Sequence, residues 1–386
     1  MTLRLGVAGL GRGFISMLPT FVAETRVRLT ACADPRPEAR ERFAGQFDAR
    51  GHKTVAALCA DPGIDAVYVA TPHGLHRAHA EMAAAAGKHV LVEKPMAVTL
   101  HDAAAMVAAA QAAGVAMVVG HSHAFDAPIR HARALIASGD YGAFRSLTML
   151  TATDFMYRPR RPEELDTAQG GGVAFNQASH QVDIARLLGG GLVRSVRATA
   201  GVWDAGRPTE GAYSAMLHFA GGAVATLTYT GYARFDTDEF TGWIAEAGTP
   251  KDPAAYGAAR RALAAAPDEA AARQARTYGG AQFQDPPAPS HHQQFGFVLA
   301  QCDHADLRPM PHGVMIYGAT ERRLDALPPP RVPRAAVIDD LLAAVAGQKI
   351  VHDGAGGMAT LEVCAAILRS SREGREILLD HQVSVA

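Results

Sequence analysis

Four residues of the sequence have the types and placements to move a proton or steady a charge: Lys94, Asn176, His180 and Asp183. Lys94 stands in Glu93-Lys94-Pro95, directly after an apolar run of strand length. Its ammonium would reach the carboxyl edge of a sheet, where open α/β sheets place their ligands. The other three follow the run Gly170-Gly171-Gly172. On one helix, spacings of four and three put the amide, imidazole and carboxylate on a single face. The chemistry this suits is removal of hydride from an alcohol. The hydroxyl proton must pass to a base tuned near working pH, a task for histidine. The developing alkoxide needs a nearby cation, which Lys94 would supply. The plain alternatives are a surface lysine and a helix histidine satisfied by its neighbours. Strand-end placement and the glycine run favour the catalytic reading.

A hydride needs an acceptor, and the first residues offer a place for one. Gly9-Leu10-Gly11 follows the run Leu3–Ala8 directly, and Arg12, Gly13 and Phe14 open the next helix. Glycine lets the backbone turn sharply and approach a pyrophosphate, which the free N–H groups of a helix start then bind. Asp34 closes the second strand at about the spacing expected for the acid that holds the ribose hydroxyls. It could equally cap the helix that begins at Pro35. A carboxylate repels a 2′-phosphate, so Asp34 favours NAD; Arg36, two residues on, leaves NADP possible. Phe14 stands where a third small residue is usual, and Pro19 interrupts the first helix.

The elements that must position these groups follow from periodicity. Strand-length apolar runs at Leu3–Ala8, Val27–Ala33, Ala66–Ala70, His89–Val92 and Ala116–Val119 alternate with helical patterns at Pro35–Phe47, Leu75–Ala86 and Leu100–Ala113. Near-continuous apolar strands between helices predict a doubly wound parallel sheet, hence a dinucleotide-binding domain over residues 1–123. From residue 124 to 386 the pattern becomes α+β. Helices are expected at Pro128–Ser138, Val173–Leu188, Ala254–Arg276 and Met358–Glu373, and strands at Phe144–Thr153, Leu192–Trp203, Tyr213–Phe219 and Ala223–Tyr232, with more around a turn in Ser290–Tyr317. Gly221-Gly222 between two of these strands predicts a hairpin, so the second sheet should be mainly antiparallel. Residues 233–335 are irregular.

Composition removes several classes. The chain has 386 residues, 48% hydrophobic and 19% charged, which is globular and long enough for more than one domain. Its 37 basic and 38 acidic residues nearly cancel, so nothing attracts a nucleic acid or an anionic membrane. The start has no signal-peptide pattern and no run suits a spanning helix, so a cytoplasmic enzyme is expected. Cys32, Cys59, Cys302 and Cys364 are too scattered for a CxxC site and read as buried thiols. The histidines His73, His76, His79, His121 and His123 lack zinc-ligand spacing, so no metal is expected.

Taken together, Gly9-x-Gly11, Asp34, Thr71-Pro72-x-x-x-His76, Glu93-Lys94-Pro95 and the Asn176…His180…Asp183 stretch resemble the Gfo/Idh/MocA oxidoreductase family. The resemblance runs over nearly the whole chain. It implies a Rossmann domain followed by an open-faced sheet through which such chains form dimers or tetramers. It implies NAD(P) bound by the glycine turn, Asp34, Arg36, Thr71, Pro72, His73, His76, Glu93 and Lys94. Lys94 and His180 match the family's catalytic pair, while Asn176 stands where its sugar dehydrogenases often have Asp. The loop Arg158-Pro159-Arg160-Arg161-Pro162 could clamp carboxylates, and His121 could line the pocket. That loop, the opening residues and Asp306–Gly318 resemble a branch of the family that oxidises carboxylated cis-dihydrodiols. The implied reaction is phthalate 4,5-cis-dihydrodiol to 4,5-dihydroxyphthalate, driven by aromatisation. Sugar or inositol oxidation is the alternative, and a non-catalytic NAD-binding sensor a third reading.

Overall fold

The computed structural model describes residues 2–385. Two compact units emerge, and neither follows a single cut of the chain. The first comprises Met1–His121, Asp268–Ala288 and Arg331–Leu361. The second comprises Ser122–Pro267, Pro289–Pro330 and Glu362–Ala386. The expectation of one continuous second domain over 124–386 is thereby corrected. The cause is apolar burial: Tyr278, Val337, Ile338 and Leu341 are each fully buried within the later segments of the first unit.

In the first unit the strands are β1 (Leu3–Ala8), β2 (Val27–Ala33), β3 (Arg50–His52), β4 (Ala66–Val69), β5 (His89–Val92) and β6 (Met117–Val119). They form one parallel sheet in the order β3-β2-β1-β4-β5-β6. The order reverses beside β1, so the carboxyl ends of β1, β2, β4 and β5 flank a topological switch point. Helices α1 (Arg12–Ala23), α2 (Pro37–Phe47), α3 (Val55–Cys59), α4 (His76–Ala85) and α5 (Leu100–Ala113) make the crossovers. Pro19 lies inside α1 without ending it. The edge strand β3 is Arg-Gly-His, half exposed and without apolar signal, and α3 is one turn long. Neither was expected.

The second unit is built on nine strands: β7 (Phe144–Ala152), β8 (Val193–Gly201), β9 (Ala212–Phe219), β10 (Val224–Thr230), β11 (Phe297–Cys302), β12 (Asp306–Met310), β13 (Gly313–Tyr317), β14 (Arg322–Ala326) and β15 (Ile377–Leu378). Their order is β14-β13-β12-β11-β7-β10-β9-β8-β15, antiparallel except where β10 runs parallel to β7. Gly222, at φ 86°, closes the β9–β10 hairpin in a conformation that disfavours any side chain. The helices are α6 (Ala127–Ser138), α7 (Gly172–Asn176), α8 (Ala178–Gly189) and α9 (Ala258–Ala264). The helix expected over 173–188 is therefore two, interrupted at the single residue Gln177, whose φ of −120° departs from the usual helical value. The one expected over 254–276 is also two, α9 and α10 (Glu269–Ala275), separated at Pro267. The remaining helices are α11 (Ala335–Val345) and α12 (Gly354–Glu373).

α8 is buried along Ala178–Leu188 and fastened to the sheet by one amide. Gln181 Nε2 donates to Thr151 Oγ1 (3.0 Å) and Thr228 O (3.2 Å), and Tyr213 Oη donates to Gln181 Oε1 (2.6 Å). Among the described residues no helix is long and apolar enough to cross a membrane, and the four cysteines are buried and form no disulfide.

Candidate active site

The glycine turn after β1 has the shape a pyrophosphate requires. Gly9 sits at φ 91°, and a Cβ there would stand 2.7 Å from Ala70 O, so no larger residue fits. A Cβ on Gly11 would meet nothing within 4 Å, which leaves that side of the turn open. Gly11 caps α1 without a side-chain bond, so the first N–H groups of the helix remain for an anion, with exposed Arg12 beside them. These residues fit a dinucleotide. Phe14 does not take the role expected of it: its side chain is fully buried and packs on Phe21, Phe43 and Tyr278. Asp34 lies at the end of β2 as expected. Its Oδ2 accepts from Leu10 N–H (2.9 Å), and its carboxylate pairs with Arg36.

Beyond β5, Glu93 is buried and accepts from Tyr68 Oη, with His121 Nδ1 3.3 Å from Oε1. Burial alone would raise its carboxyl, but His121, the Tyr68 hydroxyl and Lys94 hold it below the usual range. Gly13 is glycine for the same reason, because a Cβ would stand 2.8 Å from Glu93 Cγ. Lys94 itself is half-buried and precedes a cis proline. His76 is fully buried, with Nε2 2.8 Å from Thr71 O and Nδ1 3.1 Å from Pro95 O. Its ring ties the β4 turn to the Lys94-Pro95 turn, so it positions the lysine segment and offers no face to a coenzyme. Thr71 Oγ1 is 3.0 Å from His79 Nδ1, while Pro72 is exposed and His73 half-exposed.

In the second unit, His180 stands in a nest of rings. His123 and Phe295 lie 4.7 and 4.8 Å from it, centroid to centroid. The His123 backbone N–H donates to His180 Nδ1 at 3.3 Å. That bond makes Nε2 the protonated nitrogen of a neutral His180 ring. Asp183 accepts from the Ser122 hydroxyl. Asn176 is the last residue of α7, separated from α8 by Gln177 alone. Its Nδ2 donates to Gly170 O (3.1 Å) and Gly172 O (2.8 Å), closing the glycine loop.

His123, Asp126, Glu246 and Phe295 were not expected here. The spacing His123-x-x-Asp126 was a local signal; Glu246 and Phe295 lie in the irregular region and had none. His123 Nδ1 is 2.6 Å from Asp126 Oδ2 and Nε2 is 3.3 Å from Glu246 Oε1. Burial pushes this imidazole down, but Asp126 and then Glu246 outweigh it and hold the pKa at about 9. The fold thus gathers His123, His180 and Glu246, with ligand atoms within 4.8 Å of one another. A metal there would have to displace the proton of an imidazolium already set between two carboxylates.

The imidazolium has a consequence for stability. A pKa raised on folding stabilises fully below the ordinary value near 6.5, by about 3 kcal/mol, and that contribution is lost as pH rises through about 9. Wild-type protein should therefore lose more melting temperature between about pH 7 and about pH 10 than a His123→Gln variant. Parallel curves in a calorimetric scan would exclude a charged His123.

The three arginines of the loop after β7 do not form one clamp. Arg160 is buried, stacked 3.7 Å above the Phe155 ring, with Nη2 donating to Phe155 O (2.6 Å). Arg161 pairs with Glu163 (3.2 Å) and Glu164 (3.5 Å). Arg158 alone of the three lines a cavity, which Phe155, Tyr229, Phe295, Thr153, Gln177, Gln294, Asp238 and Glu246 help to enclose. Phe295 joins that cavity to the His180 nest.

Two family models match successive stretches of the chain. The model of the GFO/IDH/MocA oxidoreductase family, with an NAD-binding Rossmann fold, matches residues 3–121, and the model of its C-terminal domain matches residues 129–245. The chain is 44% identical over 377 residues to a 1-carboxy-3-chloro-3,4-dihydroxycyclohexa-1,5-diene dehydrogenase of Comamonas testosteroni, covering 96% of this chain and 95% of that one. It is 30% identical over 243 residues to an inositol 2-dehydrogenase of Rhizobium meliloti, covering 62% and 72%. A solved protein from Bordetella bronchiseptica RB50 superposes with a TM-score of 0.92 at 38% identity, covering 98% of this chain and all of that one.

Proposed function

Because this chain belongs to the Gfo/Idh/MocA family of NAD(P)-dependent oxidoreductases, we propose that it oxidises a carboxylated cyclic cis-dihydrodiol to a catechol acid. Phthalate 4,5-cis-dihydrodiol, giving 4,5-dihydroxyphthalate, is one substrate of that class. The observation that carries the reading is the 44% identity, over 377 residues, to a dehydrogenase of a carboxylated dihydroxycyclohexadiene. Arg158, 3.6 Å from Asp154, lines a small cavity of the second unit beside Phe155, Tyr229 and Phe295. A guanidinium in such a place can pair with a carboxylate. NAD+ at the glycine turn would supply the hydride acceptor.

His180 exchanges the hydroxyl proton through Nε2. In the oxidation direction that atom must present a lone pair, so the bond at Nδ1 has to give way; at 3.3 Å it is long and cheap to lose. Lys94 stabilises the alkoxide as the proton leaves. Loss of hydride leaves a keto-alcohol that tautomerises to the aromatic ring, which draws the reaction forward. His76, Glu93 and His121 keep the Lys94 segment in place, and Asp183 and Ser122 do the same for α8.

Arg158→Ala is expected to raise KM for the carboxylated substrate about 10- to 100-fold with kcat little changed. An unchanged KM would remove the carboxylate contact. Asp238 and Glu246 also line the cavity, and acceptors of this kind favour a hydroxyl-rich substrate. Polyol oxidation is therefore the second reading. NADH formation with a carboxylated cis-dihydrodiol, and none with myo-inositol or glucose, supports the first; the opposite pattern installs the second. The second unit's open sheet face, with Met216 43% exposed, supports self-association into dimers or tetramers.

A further inference from the structure

We propose that Asp268–Ala288 is a coenzyme-selectivity element. By holding Arg36 against Asp34, it denies that guanidinium to a 2′-phosphate and makes the enzyme prefer NAD to NADP. The proposal rests on the coenzyme of the family and is independent of the substrate.

The stretch comes from the irregular region far along the chain, yet it belongs to the first unit. Tyr278 anchors it. The ring is fully buried and meets Phe14 edge-on at 5.0 Å, and its hydroxyl donates to Gln46 Oε1 on α2 at 2.6 Å. Gly279, at φ 80°, brings the backbone so near α2 that a Cβ would stand 2.7 Å from Ala39 Cα. Phe14, too large for the usual third small position, is thus matched by a tyrosine from more than two hundred residues away.

The anchored segment ends on Arg36. A guanidinium has five N–H donors, and here all five are engaged. Nε donates to Asp34 Oδ1 (2.9 Å), and Nη2 to Asp34 Oδ2 (3.0 Å) and Leu10 O (3.1 Å). Nη1 donates to Thr277 Oγ1 (2.7 Å) and Tyr278 O (3.0 Å). The Asp34 carboxylate is correspondingly full, accepting also from Leu10 N–H and Arg36 N–H. Arg36 therefore looks in sequence like a phosphate ligand and in the fold is a spent cation. To meet a 2′-phosphate it must break bonds that each weigh roughly tenfold in an equilibrium, and doing so bares Asp34 to the incoming dianion. Arg40, the next cation, has Nη1 on the carbonyls of Asp34 and Pro35.

The test is a fluorescence titration of the purified full chain with NADH and with NADPH, needing no substrate. Wild type should bind NADH at least about tenfold more tightly than NADPH. Thr277→Val releases one Nη1 donor and should tighten NADPH about fivefold, with NADH within about twofold. Thr277→Ser, which keeps the hydroxyl, should restore the wild-type ratio. If Thr277→Val does not fold, Thr277→Ala asks the same question. Equal wild-type affinities, an unchanged ratio in the variant, or equal weakening of both coenzymes would each overturn the proposal. None of them would touch the dehydrogenase reading, since either coenzyme accepts hydride.

Discussion

Replacing Lys94 by alanine is expected to lower kcat by about a thousandfold while NADH affinity stays within about threefold. The size follows from what is removed. A fixed cation at a developing alkoxide works in a dry setting, where one lost donor costs 10²–10³-fold or so. The coenzyme should be little affected, because its phosphates would be held by the backbone of the glycine turn. Lys94→Arg should not restore the rate: a planar fork cannot take the place of a compact ammonium on a half-buried segment pinned by His76 and Pro95. A kcat within about tenfold of wild type for Lys94→Ala would remove the lysine from the mechanism.

The second large effect is expected at His180. His180→Ala should lower kcat by about 10²- to 10⁴-fold, the range of a positioned acid–base group. Alanine also deprives the His123 N–H of its acceptor, so an independent variant is needed. His180→Asn offers an amide oxygen to that N–H but cannot exchange a proton at neutral pH. It should fold like wild type, stay slow, and lose the limb of the pH–rate profile that reports the imidazole. If Lys94 and His180 serve one reaction, the double alanine variant should be scarcely slower than the worse single one. Fully multiplicative losses, or an active His180→Asn, would separate the two residues.

Much of this was readable beforehand, for physical reasons. Buried parallel strands must be apolar on both faces, so β1, β2, β4, β5 and β6 announced themselves as short hydrophobic runs and carried Gly9, Asp34 and Lys94 to the sheet edge with them. The hairpin at Gly221-Gly222 was legible because its turn needs glycine. What stayed hidden lacked a local signature. The interruption at Gln177 contains neither glycine nor proline, so α7 and α8 read as one helix. His76 looked like a coenzyme ligand because spacing cannot say that two carbonyls will claim its ring. The arginine triplet looked like a clamp because sequence proximity does not reveal that Phe155 and Glu164 take two of its members. Tyr278 and α11 join the first unit by contacts that only a folded chain possesses.

That last arrangement bears on how the protein is made. Every strand of the first sheet has been synthesised once residue 119 has been added. Its hydrophobic interior has not closed by then, because the aromatic cover and the last buried helix arrive with Asp268–Ala288 and Arg331–Leu361. Until synthesis passes residue 278, Phe14 lacks its partner Tyr278, and until it passes residue 345 the sheet lacks α11. The nascent Rossmann half is thus a sticky intermediate of the kind chaperones hold, and a fragment cut at its last strand inherits the same uncovered surface.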